Sequence, residues 1–140
     1  AALNEFRRVL KPHGRVILFE PCISALGWIV YGAFHKEPVA WFDKINSDGG
    51  PISDDRLGYY AAQGNACRIF RHSRKYRDLI GDFSITKVRR YAALAYVMSG
   101  GYSGRQLYPD RLYPFIKSCE KVLNHLPSLF ATRLLVVLTK

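Results

Sequence analysis

The sequence has few of the residues that build metal sites and disulfide frameworks. Its three cysteines, Cys22, Cys67 and Cys119, are odd in number and widely spaced, and no Cys-x-x-Cys pair occurs. The four histidines are equally scattered, so no metal-ligand spacing is present. We therefore expect no metal site, and free thiols rather than a disulfide. Free thiols are typical of a reducing compartment, which makes the cytoplasm the expected location.

The sequence also shows no secretory leader, no internal repeat and no apolar run long enough for a membrane span. The most apolar stretch, 23–34, stops well short of the roughly twenty residues that cross a bilayer. It therefore fits a buried helix, a lid over a site, or a segment lying on a membrane surface. We favour the first two, because the stretch directly follows a predicted strand and ligands bind at the carboxyl ends of strands in open α/β sheets.

Acidic residues are in the minority, with 11 Asp and Glu against 21 Lys and Arg, which gives a net charge of +10. Such a balance raises the possibility of nucleic acid or an anionic membrane surface as a partner. However, Tyr76, Leu79 and Ile80 form an apolar helical stripe, which makes the basic residues of 68–77 its solvated face. No recognition-helix, base-stacking or zinc-finger pattern accompanies them. The sequence therefore does not favour nucleic acid, whereas an acidic substrate and peripheral membrane contact stay open.

What the sequence does have is enough apolar residues for a core, with 49% apolar and 14% aromatic residues in 140. Apolar residues recur at i, i+3 and i+7 over 2–10, which predicts an amphipathic helix that Pro12 ends. The turn residues of 11–14 then reverse the chain. Consecutive apolar residues in the strand Arg15–Phe19 predict that it is covered on both faces, as in a parallel sheet.

The C-terminal third predicts one long helix and a central strand. The helix begins between Asp110 and Tyr113 and ends before Pro127. The run 134–138 is apolar throughout, which is typical of a central strand. Between these ends, 83–91 predicts a strand, 92–98 is either extended or helical, and Leu57–Gln63 predicts a short helix ending at Gly64. The long helix is expected to bury one face, formed by Leu112, Phe115, Ile116, Cys119, Val122, Leu123 and Leu126.

The stretch 2–21, ALNEFRRVLKPHGRVILFEP, resembles the segment around the fifth strand of class I S-adenosylmethionine-dependent methyltransferases of the type 11 kind. The usual form there is Arg-Val-Leu-Lys-Pro-Gly-Gly-Arg, and His13 stands where the first glycine is expected. Residues 74–83 are similar to the helix before the sixth strand of the same family. The resemblance implies an α/β fold: the C-terminal half of a Rossmann-like sheet, in the order helix, parallel strand, helical lid insertion, helix, strand, helix and antiparallel final strand between the fifth and sixth.

The same resemblance implies a partial domain. In the family, a Gly-x-Gly-x-Gly turn and acidic residues in the first half of the fold bind S-adenosylmethionine, and no such motif is present here. The glycines of 99–104 have the wrong spacing. We therefore expect residues 1–140 to form a single partial domain with no cofactor-binding residue, 22–64 to be a lid or substrate-side insertion, and a missing N-terminal half to hold the cofactor.

The candidate site residues also come from the resemblance. The stretch 31–38 looks like a substrate-facing segment of methyltransferases from polysaccharide- and lipid-modifying gene clusters. His35 and Glu37 are the candidate catalytic pair, because an imidazole can take the proton from a hydroxyl or amine as the methyl group arrives. Helix capping by His35 with a solvated Glu37 stays the alternative. Glu20, Tyr31 and Tyr102 are expected to bind the acceptor, a small molecule, glycan or lipid-linked compound.

Two other classes of function stay open at this stage. The basic residues allow a module that binds nucleic acid or a membrane surface. An unpaired apolar sheet edge would instead allow an interaction subunit that joins a separate cofactor-binding protein.

Overall fold

The structure is a computed structural model that describes residues 2–34, 39, 45, 64–100 and 104–140. Helices and strands are mixed along these ranges, so the fold class is α/β. In chain order they are α1 (Ala2–Val9), β1 (Arg15–Pro21), α2 (Ala25–Phe34), α3 (Asn65–Arg71), α4 (Arg77–Ile80), β2 (Ser84–Tyr91), α5 (Leu94–Met98), a 3-10 turn (Asp110–Leu112), α6 (Tyr113–Leu123), α7 (Pro127–Phe130) and β3 (Arg133–Thr139).

The predicted turn between α1 and β1 is confirmed. The backbone N–H of Gly14 donates to the carbonyl oxygen of Lys11 at 2.9 Å, and His13 has a φ of 62°. A Cβ on Gly14 would lie 2.8 Å from that same carbonyl oxygen, so only glycine fits there without a shift. The ammonium of Lys140 donates to the carbonyl oxygens of Arg7 and Leu10, each at 2.6 Å, and so satisfies the C-terminal end of α1.

The three described strands form a sheet in the order β1-β3-β2. β3 pairs antiparallel with both neighbours, so β1 and β2 run in the same direction. The prediction that the final strand is central and antiparallel is therefore confirmed. The described strands contain no parallel pair, so the predicted parallel sheet is not found in this part of the chain.

The core lies on one face of the sheet. Leu134, Val136 and Leu138 of β3 are fully buried there, and Val16 of β1 is 9% exposed. Side chains of α1, α3 and α4 pack against this face, because Leu3, Leu10, Phe70 and Ile80 belong to the same cluster.

The prediction that β1 is covered on both faces is wrong for the described residues. Ile17 is 68% exposed and Phe19 is 49% exposed. Both point to the face opposite Val16, because side chains alternate along a strand. In the described ranges, the helices of the core cluster lie on the Val16 side, and Ile17 and Phe19 on the other face stay largely uncovered.

Helix α6 differs from its sequence prediction, and the structure decides one stretch that the sequence left open. Only Ile116 of the predicted α6 stripe is fully buried, and Phe115 and Val122 are among its exposed residues, because the helix turns Glu120 inward instead. Residues 94–98, left open by the sequence, are helical. Gly64 has a φ of 96° and directly precedes α3, and the helix predicted over 57–63, which would end at Gly64, lies outside the described residues.

The apolar stretch after β1 forms α2, which has 10 residues. Trp28 and Ile29 on α2 are more than half exposed, whereas Tyr31 is buried. Among the described residues, no helix combines the length and apolarity that crossing a membrane requires.

We expect the two faces of the sheet to differ sharply in their sensitivity to truncation. Leu138→Ala opens a cavity in the core and should lower the free energy of unfolding by about 2–5 kcal/mol. Ile17→Ala removes a side chain that is largely in solvent and should cost about 1 kcal/mol or less. Urea denaturation of both variants and the parent protein measures the difference. Equal losses would contradict the one-sided core.

Candidate functional site

A cavity of about 660 Å³ opens at the carboxyl ends of β1 and β2. Its volume lies within the range of small-molecule sites, and in open α/β sheets ligands bind at this end of the strands. Residues of β1, β2, α5 and α6 contribute to its walls. Five of its lining side chains are aromatic: Phe19, Tyr91, Tyr96, Tyr108 and Tyr113.

The polar part of the cavity comes from α6. Glu120 is only 4% exposed, and its Oε1 accepts a hydrogen bond from the backbone N–H of Ala95 at 2.6 Å. The Oδ1 atom of Asn124 accepts from the backbone N–H of Ala92 at 2.7 Å. The bond to Ala95 satisfies an N–H in the first turn of α5, because Ala93, which precedes the helix, has no side chain that could cap it. The two side chains of α6 thus fix the turn between β2 and α5.

Lys117 supplies a positive charge beside this buried carboxylate. Its ammonium pairs with the Oε2 atom of Glu120. The hydrogen bond to Glu120 raises the pKa of Lys117 above its usual range, so the group is cationic at neutral pH. The carboxylate oxygens of Glu120 are already bonded to Ala95 and Lys117. A ligand in the cavity would therefore contact mainly the remaining N–H groups of Lys117.

Arg133 adds a second positive charge next to the aromatic wall. Its guanidinium carbon lies 4.2 Å from the ring centre of Tyr96, 5.8 Å from that of Phe19 and 6.0 Å from that of Tyr31. These distances are typical of cation–π contacts, most favourably with Tyr96. The Nε atom of Arg133 is buried and has no hydrogen-bond partner. Within the described part of the chain, the contacts found for its guanidinium are therefore with aromatic rings.

The structure describes two of the five residues predicted for the site. Tyr31 is buried, and its hydroxyl donates to the carbonyl oxygen of Thr132 at 2.7 Å. Glu20 is half-buried and pairs in register with Leu134, which puts it on the core face of the sheet, opposite the cavity. Neither residue lines the cavity, and their roles in acceptor binding stay predictions.

The remaining predicted site residues, His35, Glu37 and Tyr102, lie outside the described residues.

Sequence reasoning missed the polar residues of α6. Glu120 falls four positions after Ile116 and three before Leu123, where the helical stripe calls for an apolar residue. A charged residue within an apolar stripe is therefore the signal that could have found it, since buried charges are rare unless they are paired.

Comparison of the chain with protein-family models, with curated proteins and with solved structures finds no match. Within the described ranges, no group of three or more His, Cys, Asp or Glu residues is placed to hold a metal ion. The function is therefore inferred from the geometry of the cavity and from the sequence pattern.

The buried hydroxyl of Tyr31 predicts a loss of stability at alkaline pH. Burial raises the pKa of Tyr31 from 10.0 to about 12, so the unfolded state ionises first as the pH rises. The stabilisation is complete below pH 10 and is lost between pH 10 and 12. Tyr31→Phe lacks this titration, so the gap in unfolding free energy between parent and variant should shrink by about 1.4 kcal/mol from pH 9 to pH 11. Urea denaturation at both values measures it, and a constant gap would contradict the prediction.

The Glu120 carboxylate can be tested with a pair of variants. Glu120→Ala leaves the N–H of Ala95 without an acceptor and should lower the free energy of unfolding by about 1–3 kcal/mol. Glu120→Gln keeps an acceptor oxygen of the same reach and should cost clearly less. Denaturation curves compare the two, and an equal cost would show that the hydrogen bond to Ala95 is not what Glu120 contributes.

Proposed function

We propose that this chain is the acceptor-binding side of an S-adenosylmethionine-dependent methyltransferase, acting on a small-molecule, sugar or lipid-linked acceptor. The observation that carries the proposal is the aromatic cavity at the carboxyl ends of β1 and β2, on a sheet whose final strand lies antiparallel between them. That strand order agrees with the place that the resemblance gives to the last strand.

The turn before β1 supports the same reading. His13 stands where the resembled methyltransferases have glycine, and its φ of 62° is a conformation that glycine adopts at no steric cost. A conformation of this kind at a non-glycine residue is uncommon. The backbone at His13 thus has the conformation of the glycine that the family carries there. This agreement supports the resemblance of the stretch 2–21.

The described residues do not fit S-adenosylmethionine itself. Three glycines, Gly64, Gly81 and Gly100, have positive φ in the described ranges, and none of them lies in a turn from a described strand into a helix. β1 is followed by Cys22, Ile23 and Ser24, which is not a glycine-rich turn. We therefore assign the cofactor to polypeptide outside this chain, and the cavity to the acceptor.

The open side of β1 is where such a cofactor-binding half would attach. In the described residues β1 pairs only with β3, so its other edge carries unpaired backbone groups. Ile17 and Phe19 leave an apolar surface on the adjoining face. A further strand beside β1, with a helix over Ile17, would satisfy the edge and cover this surface.

The residues of the chain then have the task of positioning the acceptor. S-adenosylmethionine supplies an activated methyl group, so alignment accounts for much of the rate. The rings of Tyr91, Tyr96 and Tyr108 offer flat apolar faces with polar edges, which suit a sugar or another ring bearing hydroxyl groups. Lys117 can donate a hydrogen bond to an acceptor oxygen. His35 and Glu37 remain the proposed groups for proton removal.

The free thiols of the described cysteines support a cytoplasmic location for this activity.

Cofactor binding with and without the proposed second half tests the function. Isothermal titration of the chain alone with S-adenosylmethionine should show no micromolar binding. The same titration on a protein extended by the segment encoded immediately upstream should show it, because the glycine-rich half would then be present. Transfer of labelled methyl groups from the cofactor to sugar and lipid extracts identifies the acceptor class.

The two titrations fail in different ways. Micromolar binding by the chain alone would contradict the division between acceptor and cofactor halves. Absence of binding by the extended protein would contradict the methyltransferase proposal as a whole. In an active extended protein, Tyr96→Ala should reduce methyl transfer without weakening cofactor binding.

A further inference from the structure

Two of the three cysteines lie against each other in the interior. Cys22 follows β1 and Cys67 lies on α3, and their Sγ atoms are 3.2 Å apart. The two residues are 1% and 3% exposed, and both thiols are free. The third cysteine, Cys119, lies on α6 and has no part in this pair.

The surroundings make the two thiols unequal. The two thiols share one hydrogen bond in which either sulfur can donate, and the backbone N–H of Ile23 also donates to the Sγ atom of Cys67. The positive charges of Arg71 and Arg90 favour the thiolate at either sulfur. Together they lower the pKa of Cys67, whereas the hydrogen bond to Cys67 and burial raise the pKa of Cys22. The N–H of Ile23 reaches Cys67 and not Cys22, and it therefore favours the thiolate at Cys67.

Cys67 lines a cavity whose described walls do not include Cys22. This second cavity has a volume of about 350 Å³. Ile23 forms one side of it, and α3 with the turn that follows forms the other. Its walls include the cationic side chains of Arg68, Arg71 and Lys75. In the described part of the chain, this cavity with its positively charged walls is the route by which a small oxidant would meet Cys67.

We propose that Cys67 and Cys22 form a redox site that reacts with hydrogen peroxide, in which Cys67 is the attacking thiol and Cys22 resolves the product into an intramolecular disulfide. The site is separate from the aromatic cavity and does not depend on the methyltransferase proposal.

The chemistry balances with peroxide as the oxidant. The Cys67 thiolate attacks one peroxide oxygen, the O–O bond breaks, and the other oxygen leaves as hydroxide, which takes a proton to become water. Cys67 is then a sulfenic acid. The sulfur of Cys22 attacks the sulfur of Cys67, the S–S bond forms, the S–O bond breaks, and the oxygen leaves as a second water with the Cys22 proton. Two thiols lose two electrons in total, and the peroxide gains them.

The disulfide would join points that are 45 residues apart in the chain. The sulfurs have to approach by about 1 Å to reach bonding distance. Because the bond would restrict the unfolded chain, oxidation should raise the melting temperature by several degrees. It would also fix both ends of the stretch that carries α2.

Peptide mapping of the peroxide-treated protein tests the proposal. The reduced protein is freed of reductant, treated with hydrogen peroxide, alkylated and digested without reduction. We expect loss of two of the three thiols, a linked peptide pair containing Cys22 and Cys67, and alkylated Cys119. If no such linked pair forms, or if Cys119 takes part in the linkage, the proposal is overturned. This outcome needs only the parent protein and no variant.

Three variants then test the direction of the reaction. In Cys22→Ala, Cys67 should stop at the sulfenic acid, which a 1,3-diketone reagent traps. In Cys67→Ala, Cys22 should remain unreacted at the same peroxide concentration. Cys119→Ala is the matched control and should form the disulfide as the parent does. Equal trapping at Cys22 in Cys67→Ala would overturn the assignment of the attacking thiol.

Discussion

The pairing of β3 with both neighbouring strands is the interaction on which the rest of the structure depends. Every residue from Arg133 to Thr139 has a partner in β1, and the same span pairs with β2 through one irregularity between Ile85 and Lys87. The inward side chains of β3 are fully buried. The C-terminal strand therefore joins two parts of the chain that lie far apart in sequence, and it brings the carboxyl ends of β1 and β2 to one edge.

The candidate site arises because helices cover the two faces of the sheet unequally. Helices α1, α3 and α4 bury one face, whereas α5 and α6 reach only the end of the other, where the aromatic cavity lies. Glu120 fixes the start of α5 through a single buried hydrogen bond, and Lys117 neutralises its charge. The same geometry leaves Ile17 exposed on β1. One architectural feature thus provides both the cavity that we propose for an acceptor and an exposed apolar surface beside it.

Sequence reasoning succeeded where local chemistry decides the conformation. Pro12 and Gly14 determine the turn before β1 independently of the residues that pack around it. The apolar run of β3 is compatible only with a central position in the sheet. It failed where the answer depends on what packs from elsewhere. The sequence pattern of β1 is the same whether one face of the strand or both are covered. The exposure of Ile17 could therefore not be predicted from it. The inward turn of Glu120 depends on an N–H of α5, which is distant in sequence.

Residue-resolved amide hydrogen exchange tests the central position of β3 most directly. A strand paired on both sides protects all of its amides, whereas a strand paired on one side protects every second one. We predict slow exchange at each amide from Leu134 to Leu138 and an alternation of slow and fast exchange along β1. Alternating exchange along β3, or uniform protection along β1, would contradict the account of this sheet.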